Sequence, residues 1–500
     1  MFPSINAVRR TAFLLALPLL IGLITGCANS STTEVPITTV SDEARATYIE
    51  ARQLAENLSL DDARAMYEKA IEQDPGFALA YWGRAILAIS NKDFRDYFNQ
   101  AVALAPNVSR GERLLIEGNQ ALADDKPETA LKLRKKLVRK FPNDKRVHNA
   151  LGGVYFGLDE VEPAIAAYEK AAELDADYPP PYNVLGYLYL AEHQFDKAEN
   201  AFKNYIRLIP DEANVYDSMA DLYTRMGRYQ EAIDNFSMAL ERNPTFGFSQ
   251  RKIGLNQIYM GRYDDGRASI SQAIALEQTP FGRVVDLEMI AFSHLYENNP
   301  DETFRAMGEA LDMAKAEQLT VRVALIRSGL CRLHLLITGD LDQAEAELRA
   351  YIKIIEAGGI TEGARDFFAE LALTQEALIA AKGKDFDRAF AKADELEASI
   401  AAGENPTETE GYHQLMGQIY LDKGEYSKAL EQFDQGNEDN PYTYYLMAQA
   451  QANAGSHDRA KELYQRTVDW NEVISAAAGN HHRALGYALA RTKSLAALQE

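Results

Sequence analysis

Apolar residues recur along most of this chain at spacings of three and four, which places them on one face of a helix. The pattern is clearest over 145–278, where four successive units begin 34 residues apart. Three of these units share Leu or Met, a small residue directly after it and a tyrosine four residues on: Leu151-Gly152-Tyr155, Leu185-Gly186-Tyr189 and Met219-Ala220-Tyr223. This pattern predicts two helices in each unit, and no alternation typical of a β-strand stands out.

Glycine and proline mark where the predicted helices end. Gly227 and Gly261 stand between the two helices of their units, at turns that often need a positive φ. Pro210 and Pro244 stop the second helix, because proline has no amide hydrogen and disfavours helix in the residue before it. The units therefore have the bounds 145–176, 179–210, 213–244 and 247–278.

These marks resemble the tetratricopeptide repeat family, in which each repeat of 34 residues is a helix, a turn and a second helix. The resemblance implies an all-α fold, a tetratricopeptide-type α-solenoid in which antiparallel helix pairs stack into a right-handed superhelix. It covers roughly 44–470, with clear marks in 145–278 and 410–441 and weaker marks elsewhere.

The resemblance divides the chain after its first 43 residues into four parts. They are an N-terminal array over 44–278, longer and degenerate hairpins over 279–405, a C-terminal pair of repeats over 406–470 and a helical cap over 471–500. The longer hairpins are predicted at 283–318, 320–357 and 362–402. The cap is expected because the last repeat would otherwise expose an apolar face.

The first 26 residues have the layout of an export signal. Arg9 and Arg10 precede the apolar run 12–24, and no acid interrupts this segment. The run is too short to span a membrane comfortably, whereas a short basic head and an apolar core are typical of a secretory signal peptide. We therefore predict that residues 1–26 are removed.

The apolar run ends in the sequence I-T-G-C, which resembles the signal box of bacterial lipoproteins. That resemblance implies cleavage before Cys27 and acylation of this residue. Ala28 rather than Asp follows, which in the family favours the outer membrane, facing the periplasm; the alternative is the outer face of the cytoplasmic membrane. Residues 27–43 are predicted to be the lipidated cysteine and a flexible tether, because they are rich in Ser and Thr.

Charge limits the class of partner. The chain of 500 residues has 52 Lys and Arg against 74 Asp and Glu, a formal net charge of −22. Loss of residues 1–26 removes two arginines and no acid, so the mature chain has a net charge of −24. This argues against a nucleic-acid partner, which needs clustered basic residues. An acidic body should also be repelled by anionic headgroups, so membrane attachment is expected to depend on Cys27 alone.

The sequence carries no motif of a catalytic or cofactor site. It has no glycine-rich phosphate loop, no H-E-x-x-H or C-x-x-C pattern and no G-x-S-x-G turn. Cys331 and His334 are three apart on an apolar helix, but no second pair of ligands accompanies them, which favours a core thiol over a metal site. We predict no catalytic residue, metal or cofactor. The alternative is an enzyme or accessory subunit acting on cell-envelope polysaccharide or peptidoglycan, with a pocket in 283–402.

The resemblance also implies where a protein or peptide partner would bind. In this family the first helices line a concave groove, and amides and aromatic rings there suit an extended peptide. The candidate groove residues are Arg146, Asn149, Phe156, Asn183, Tyr187, Asn214, Asp217, Asp221, Phe248 and Arg251. The competing interpretation is that they are solvated or packed on neighbouring repeats. The predicted function is a non-enzymatic, membrane-anchored scaffold for protein–protein interaction in the bacterial cell envelope.

Overall fold

The computed structural model describes residues 34–402, 408–436, 440–471 and 481–499, and this part of the chain is helical with no β-strand. The first helices in chain order are α1 (Asp42–Glu56), α2 (Leu60–Gln73), α3 (Ala78–Ile86), α4 (Asn91–Leu104), α5 (Arg110–Ala123), α6 (Pro127–Lys140), α7 (Lys145–Gly157), α8 (Val161–Leu174), α9 (Pro180–Ala191), α10 (Phe195–Leu208), α11 (Ala213–Arg225) and α12 (Tyr229–Arg242). They continue as α13 (Gly247–Tyr259), α14 (Tyr263–Leu276), α15 (Pro280–Tyr296), α16 (Pro300–Ala316), α17 (Thr320–Leu333), α18 (Leu341–Glu356), α19 (Glu362–Lys382), α20 (Phe386–Ala402), α21 (Glu408–Lys423), α22 (Tyr426–Phe433), α23 (Pro441–Asn453), α24 (His457–Val468) and α25 (His481–Ala497).

The helices pack in consecutive pairs. From α1 to α10 and from α13 to α24, each odd-numbered first helix packs against the even-numbered second helix that follows it. The consecutive pairs are numbered here as repeats 1 to 12, with α11 and α12 as repeat 6. From α2 to α9 and from α12 to α23, each second helix also packs against the first helix of the next repeat. The predicted all-α, tetratricopeptide-type solenoid is confirmed.

The described residues form two compact units. The N-terminal unit ends at Leu222 and the C-terminal unit begins at Tyr223, so the division falls within α11. Each unit has its own apolar core. Buried aromatic rings fill the N-terminal core, among them Tyr48, Tyr67, Phe77 and Phe141.

A small residue on the first helix lets the second helix approach closely. A Cβ atom on Gly152 would lie 2.9 Å from the Tyr168 ring, which is closer than carbon atoms pack. The same arrangement joins Gly186 to Phe202 and Gly417 to Phe433. The glycine and the aromatic residue of the repeat pattern therefore contact each other, and the ring occupies the space that a side chain on the glycine would need.

The turn between the two helices of a repeat contains one residue with a positive φ in every repeat except repeat 2. Gly227 has φ 72° and Gly261 has φ 77°, which confirms the prediction for both turns. Other repeats place Asp159 (φ 66°) or His193 (φ 56°) at the equivalent point. The turn between the two helices therefore imposes the positive φ on whichever residue stands there, and glycine adopts it at lower conformational energy than Asp or His.

The three longer hairpins lie at 280–316, 320–356 and 362–402, close to their predicted bounds. Their helices reach 17 residues in α15 and 21 residues in α19, where α13 has 13. A π-helical turn at His334–Thr338 lengthens α17 and ends at Gly339, which has φ 67°. The extra turns explain why the 34-residue period fades here.

The final helix has more contacts than a terminal cap needs. The prediction placed a cap on the last repeat, and α25 does pack against α23 and α24. It also packs against α15 and α17. Tyr487 meets the ring of Tyr259 on α13 and that of Tyr296 on α15, and Thr492 donates to Leu295 O at 3.1 Å. Residues 485–491 are all buried. The cap is therefore an internal part of the C-terminal unit.

Gly261→Ala should shift the urea midpoint downward by the equivalent of about 1 kcal/mol, because alanine is strained at positive φ. No atom lies within 4 Å of the added methyl group, so the backbone alone determines the effect. Gly308→Ala is the matched control: it also adds a methyl group in open space, but inside α16, where alanine should stabilise by up to about 1 kcal/mol. The urea midpoints are measured by circular dichroism, and shifts of both midpoints in the same direction would contradict this account.

Candidate partner-binding surfaces of the repeats

An extended segment at the start of the described chain is docked on the N-terminal unit. Residues 34–41, called the strap here, precede α1, and Val35 and Ile37 in it are buried. The prediction of a flexible tether over 27–43 is therefore wrong for residues 34–43, because apolar side chains of this segment enter the core. Residues 27–33, including Cys27, lie outside the described residues.

Carboxylates from three repeats hold the backbone of the strap. Its amides donate as follows: Val35 N to Asp144 Oδ2 at 3.0 Å, Thr38 N to Glu112 Oε1 at 2.7 Å and Val40 N to Asp74 Oδ2 at 3.1 Å. The Thr38 and Thr39 hydroxyls donate to Glu112 and Asp74. The strap is thus bound as an extended peptide would be, through its main chain and two apolar side chains.

Glu112 is the most enclosed of these carboxylates. Its side chain is buried at the start of α5, where it also completes a capping box with Ser109. Burial raises the pKa of the Glu112 carboxyl, and the hydrogen bonds from Ser109 and Thr38 act in the opposite direction. The sequence gives no sign of this role, because Thr38 and Glu112 are 74 residues apart.

Three candidate groove residues of α7 are buried rather than open to a partner. Arg146 Nε donates to Glu56 Oε1 at 2.7 Å, and both side chains are less than a tenth exposed. Phe156 and Asn149 are also buried, and neither polar atom of the Asn149 side chain has a hydrogen-bond partner among the described residues. The expectation that they face an open groove is corrected: all three side chains are buried, and Arg146 is paired with Glu56 at the end of α1.

Candidate residues of α9 and α11 form a polar network. Ser218 Oγ donates to Asn183 Oδ1 at 3.1 Å, and Tyr187 Oη donates to Asp221 Oδ2 at 3.0 Å. Burial and then the charge of Asp221 raise the pKa of Tyr187 well above its ordinary value. Asn183, Tyr187 and Asp221 keep part of their surface exposed. The structure thus brings these three predicted residues together on neighbouring first helices.

The other two candidates of α11 differ in exposure. Asp217 is only 7% exposed and so presents little surface to a partner. Asn214 is half-buried, like Asn183, and donates to the Tyr205 hydroxyl at 3.4 Å.

Phe248 is the most exposed of the candidates, at 63%. The guanidinium of Arg251 lies 5.3 Å from the centre of its ring and is held by Asp286 of the next repeat, with Nη2 to Oδ2 at 3.1 Å. Asp286 is buried, which raises the pKa of its carboxyl, while Arg251 acts in the opposite direction. Arg251 therefore supports the ring from below and is not a free cation for a partner.

Phe248 belongs to a row that sequence reasoning missed. Phe248, Phe281 and Val321 are exposed apolar residues at the second position of α13, α15 and α17, and together they are called the apolar row here. Phe281 repeats the support of Phe248, because Arg322 lies 5.4 Å from its ring and pairs with buried Glu288. The three residues are recognised as a row because each is the second residue of its helix. In the sequence the lengthened repeats disrupt the 34-residue spacing, so the common position is not evident.

The described part of the chain carries neither a cluster of metal ligands nor a membrane-spanning helix. No group of three or more His, Cys, Asp or Glu there could hold a metal ion. Cys331 is buried, which raises the pKa of its thiol to about 12, and His334 stacks on Phe304. No described helix is long and apolar enough to cross a membrane.

Sequence models of the tetratricopeptide repeat match this chain. One matches residues 43–109, 117–179 and 183–245, and a second matches 442–469. The matches fall in repeats 1 to 6 and in repeat 12. Among curated protein sequences none matches.

Solved structures of tetratricopeptide repeat proteins resemble parts of the chain. A repeat protein from Parabacteroides merdae is 16% identical with a TM-score of 0.40, over 53% of this chain and 98% of its own. MamA from Desulfovibrio magneticus is 16% identical with a TM-score of 0.32, over 34% and 97%. YrrB, a repeat protein with an unusual peptide-binding site, is 17% identical with a TM-score of 0.30, over 37% and 94%.

Thr38→Val should open the strap without unfolding the repeats. Valine keeps the shape but removes the hydroxyl that donates to Glu112 and accepts from Ser109 N at 3.2 Å. Leaving a buried carboxylate short of a donor costs about 1–3 kcal/mol. Hydrogen exchange of the Val35 and Val40 amides should quicken accordingly.

Val40→Thr is the matched control, since Val40 is 96% exposed and its side chain can change polarity at little cost. Its strap amides should exchange at the wild-type rate. Equal protection in both variants would show that Glu112 does not hold the strap.

Proposed function

We propose that this chain, which carries tetratricopeptide repeats, is a non-enzymatic scaffold that binds proteins in the bacterial cell envelope. It would be held at the membrane by a lipid on Cys27, on the outer membrane and facing the periplasm, with the outer face of the cytoplasmic membrane as the alternative. The partner would be a protein or peptide. The repeats supply the surface and the lipid supplies the location.

The apolar row is the observation that carries the binding proposal. Large apolar side chains that stay exposed at the same position of three successive first helices are typical of an interaction surface. Phe248 and Phe281 each rest on an arginine that is held by a buried acid, so the rings are fixed before a partner arrives. Rigid aromatic anchors lose little conformational entropy on binding.

The charges beneath the row are balanced within the protein. Arg251 pairs with Asp286, and Arg322 pairs with Glu288. Recognition at the row would therefore depend on apolar contact, with little dependence on salt. The network of Asn183, Tyr187 and Asp221 in the N-terminal unit offers a second, polar surface suited to an extended backbone.

The lipid anchor is supported by the sequence alone. The basic head, the apolar run 12–24 and the box that ends at Cys27 occur together in the order that a lipoprotein signal requires. Several acyl chains on one residue suffice for stable attachment, which a single chain does not give.

An enzyme with a pocket in 283–402 has less support. The buried acids of α15 are Asp286 and Glu288, and each already pairs with an arginine. A general acid or base needs a carboxyl group that can meet a substrate. The pairs instead stabilise the surface that bears the apolar row.

Combined Phe248→Ala and Phe281→Ala should lower partner capture at least about tenfold while leaving the melting temperature within a few degrees, because exposed anchors contribute to binding more than to folding. Quantitative pull-down from detergent-solubilised native membranes measures the recovered partner. Capture should persist at high salt.

Met260→Ala is the control for this pair of changes. Met260 is 40% exposed but follows the opposite end of α13, outside the apolar row. It should leave capture unchanged. If Met260→Ala reduces capture as much as the combined phenylalanine variant does, or if neither variant reduces capture, the apolar row is not the binding surface.

Cys27→Ser should abolish acylation of the protein. Labelling with radioactive palmitate in the native host should show incorporation in the wild type and none in this variant, because a hydroxyl does not accept the thioether-linked lipid. Cys331→Ser is the control, since Cys331 is a buried thiol and its replacement should leave labelling intact. Label retained in Cys27→Ser would place the lipid elsewhere or remove the lipoprotein assignment.

A further inference from the structure

The second helix of repeat 3 carries a basic surface on an otherwise acidic chain. α6 has a single acid, Glu128, in its first turn. Its exposed basic residues, called the basic face here, are Lys132, Lys135, Lys136, Arg139 and Lys140. The whole chain has a formal net charge of −22, so this concentration of positive charge is unlike the rest of the sequence.

The basic residues share one side of the helix. Their spacings of three, four and seven place them along one stripe, and Ala130, Leu131 and Leu137 are buried on the other side. The helix therefore presents its charge outward as one surface about 12 Å long.

The charge of this face is not neutralised within the protein. None of its five residues forms an ion pair with another described residue, whereas Arg207 on α10 pairs with Asp177 at 3.1 Å. Cations in the last turn interact favourably with the helix dipole, which accounts for Arg139 and Lys140. It does not account for Lys132, Lys135 and Lys136, which lie further from the C-terminus.

The basic face lies next to the segment that leads to the proposed anchor. Phe141 directly follows α6, and a Cβ atom on Gly111 would touch both the Phe141 ring and the Val35 side chain of the strap. Val35 N is held by Asp144 in the same loop. Eight residues lead from Cys27 to Val35, which span at most about 29 Å when fully extended.

We propose that the basic face of α6 rests on anionic lipid headgroups and orients the N-terminal unit on the membrane. This rests on the proposed lipid anchor for its location, but it assigns the lipid and the helix different tasks: acyl chains hold the protein, and α6 sets which side faces the bilayer. The potential of an anionic leaflet is screened within about 8 Å at physiological salt, so it acts on the nearest surface and not on net charge. The expected repulsion of the acidic chain is thereby replaced by local attraction.

The docked strap makes this arrangement possible. A free tether over 27–43 would let any side of the body meet the membrane. With residues 34–41 bound, the chain leaves the body beside the C-terminal end of α6. A membrane surface is therefore a better match than an acidic soluble protein, because the anchor brings the membrane to this side of the unit.

The test uses the mature chain with Cys27→Ser, so that no acyl group contributes. Its binding to vesicles of phosphatidylcholine with about 30% phosphatidylglycerol is measured by sedimentation, at low and high salt. Binding is expected on the anionic vesicles at low salt, and it should fall at high salt and on pure phosphatidylcholine. Combined Lys132→Glu, Lys135→Glu and Lys136→Glu should reduce it at least about tenfold.

The control makes the same change of charge on α10 of the same unit, with Lys197→Glu, Lys203→Glu and Arg207→Glu. All six positions are exposed, and circular dichroism should show both variants folded. The control should lose less than about twofold. Equal losses in the two variants, no preference for anionic vesicles, or no binding by the parent chain would overturn the proposal. Acylation plays no part in this assay, so its outcome and that of palmitate labelling are read separately.

Discussion

The contact between a small residue on a first helix and a ring on its second helix is the constraint on which the rest of this protein depends. Where Gly152 meets Tyr168, the ring occupies the space that a side chain on residue 152 would need. A pair packed in this way still has an uncovered apolar face, which the next pair or a capping segment covers. Length, repetition and the need for terminal elements all follow from that one contact.

The two ends of the array are closed by segments outside the repeats. In the N-terminal unit the strap brings its own apolar side chains and satisfies Asp74, Glu112 and Asp144. In the C-terminal unit α25 is buried against α15, α17 and α23. These segments occupy surfaces that an ordinary repeat array would leave to partners. Surfaces still open to partners include the starts of α13, α15 and α17, the network of Asn183, Tyr187 and Asp221, and the outer side of second helices such as α6.

The roles of charged residues in this chain depend on their immediate surroundings. Several buried ions occur as pairs, such as Arg146 with Glu56 and Arg322 with Glu288, because an uncompensated charge in the interior is strongly unfavourable. The buried carboxylates of Glu112 and Asp144 are instead compensated by hydrogen bonds from the strap. The pairs near the apolar row also position aromatic rings. The unpaired cations of α6 stand at the surface, where water solvates them and a membrane can meet them. The net charge of −22 indicates neither the buried ion pairs nor the basic face of α6.

The sequence by itself determined the helix pairs and their turns, because Leu151-Gly152-Tyr155 or Gly227 act on neighbours within one repeat. It could not place side chains whose partners are far along the chain. Arg146 was expected in an open groove, but its partner Glu56 is 90 residues away. Val35 and Ile37 lie in a segment without helical periodicity, so the local pattern predicts a tether there. Phe281 and Val321 were missed because longer helices disrupt the spacing. Tertiary structure decided which surfaces are covered, since burial depends on contacts between repeats that local pattern does not encode.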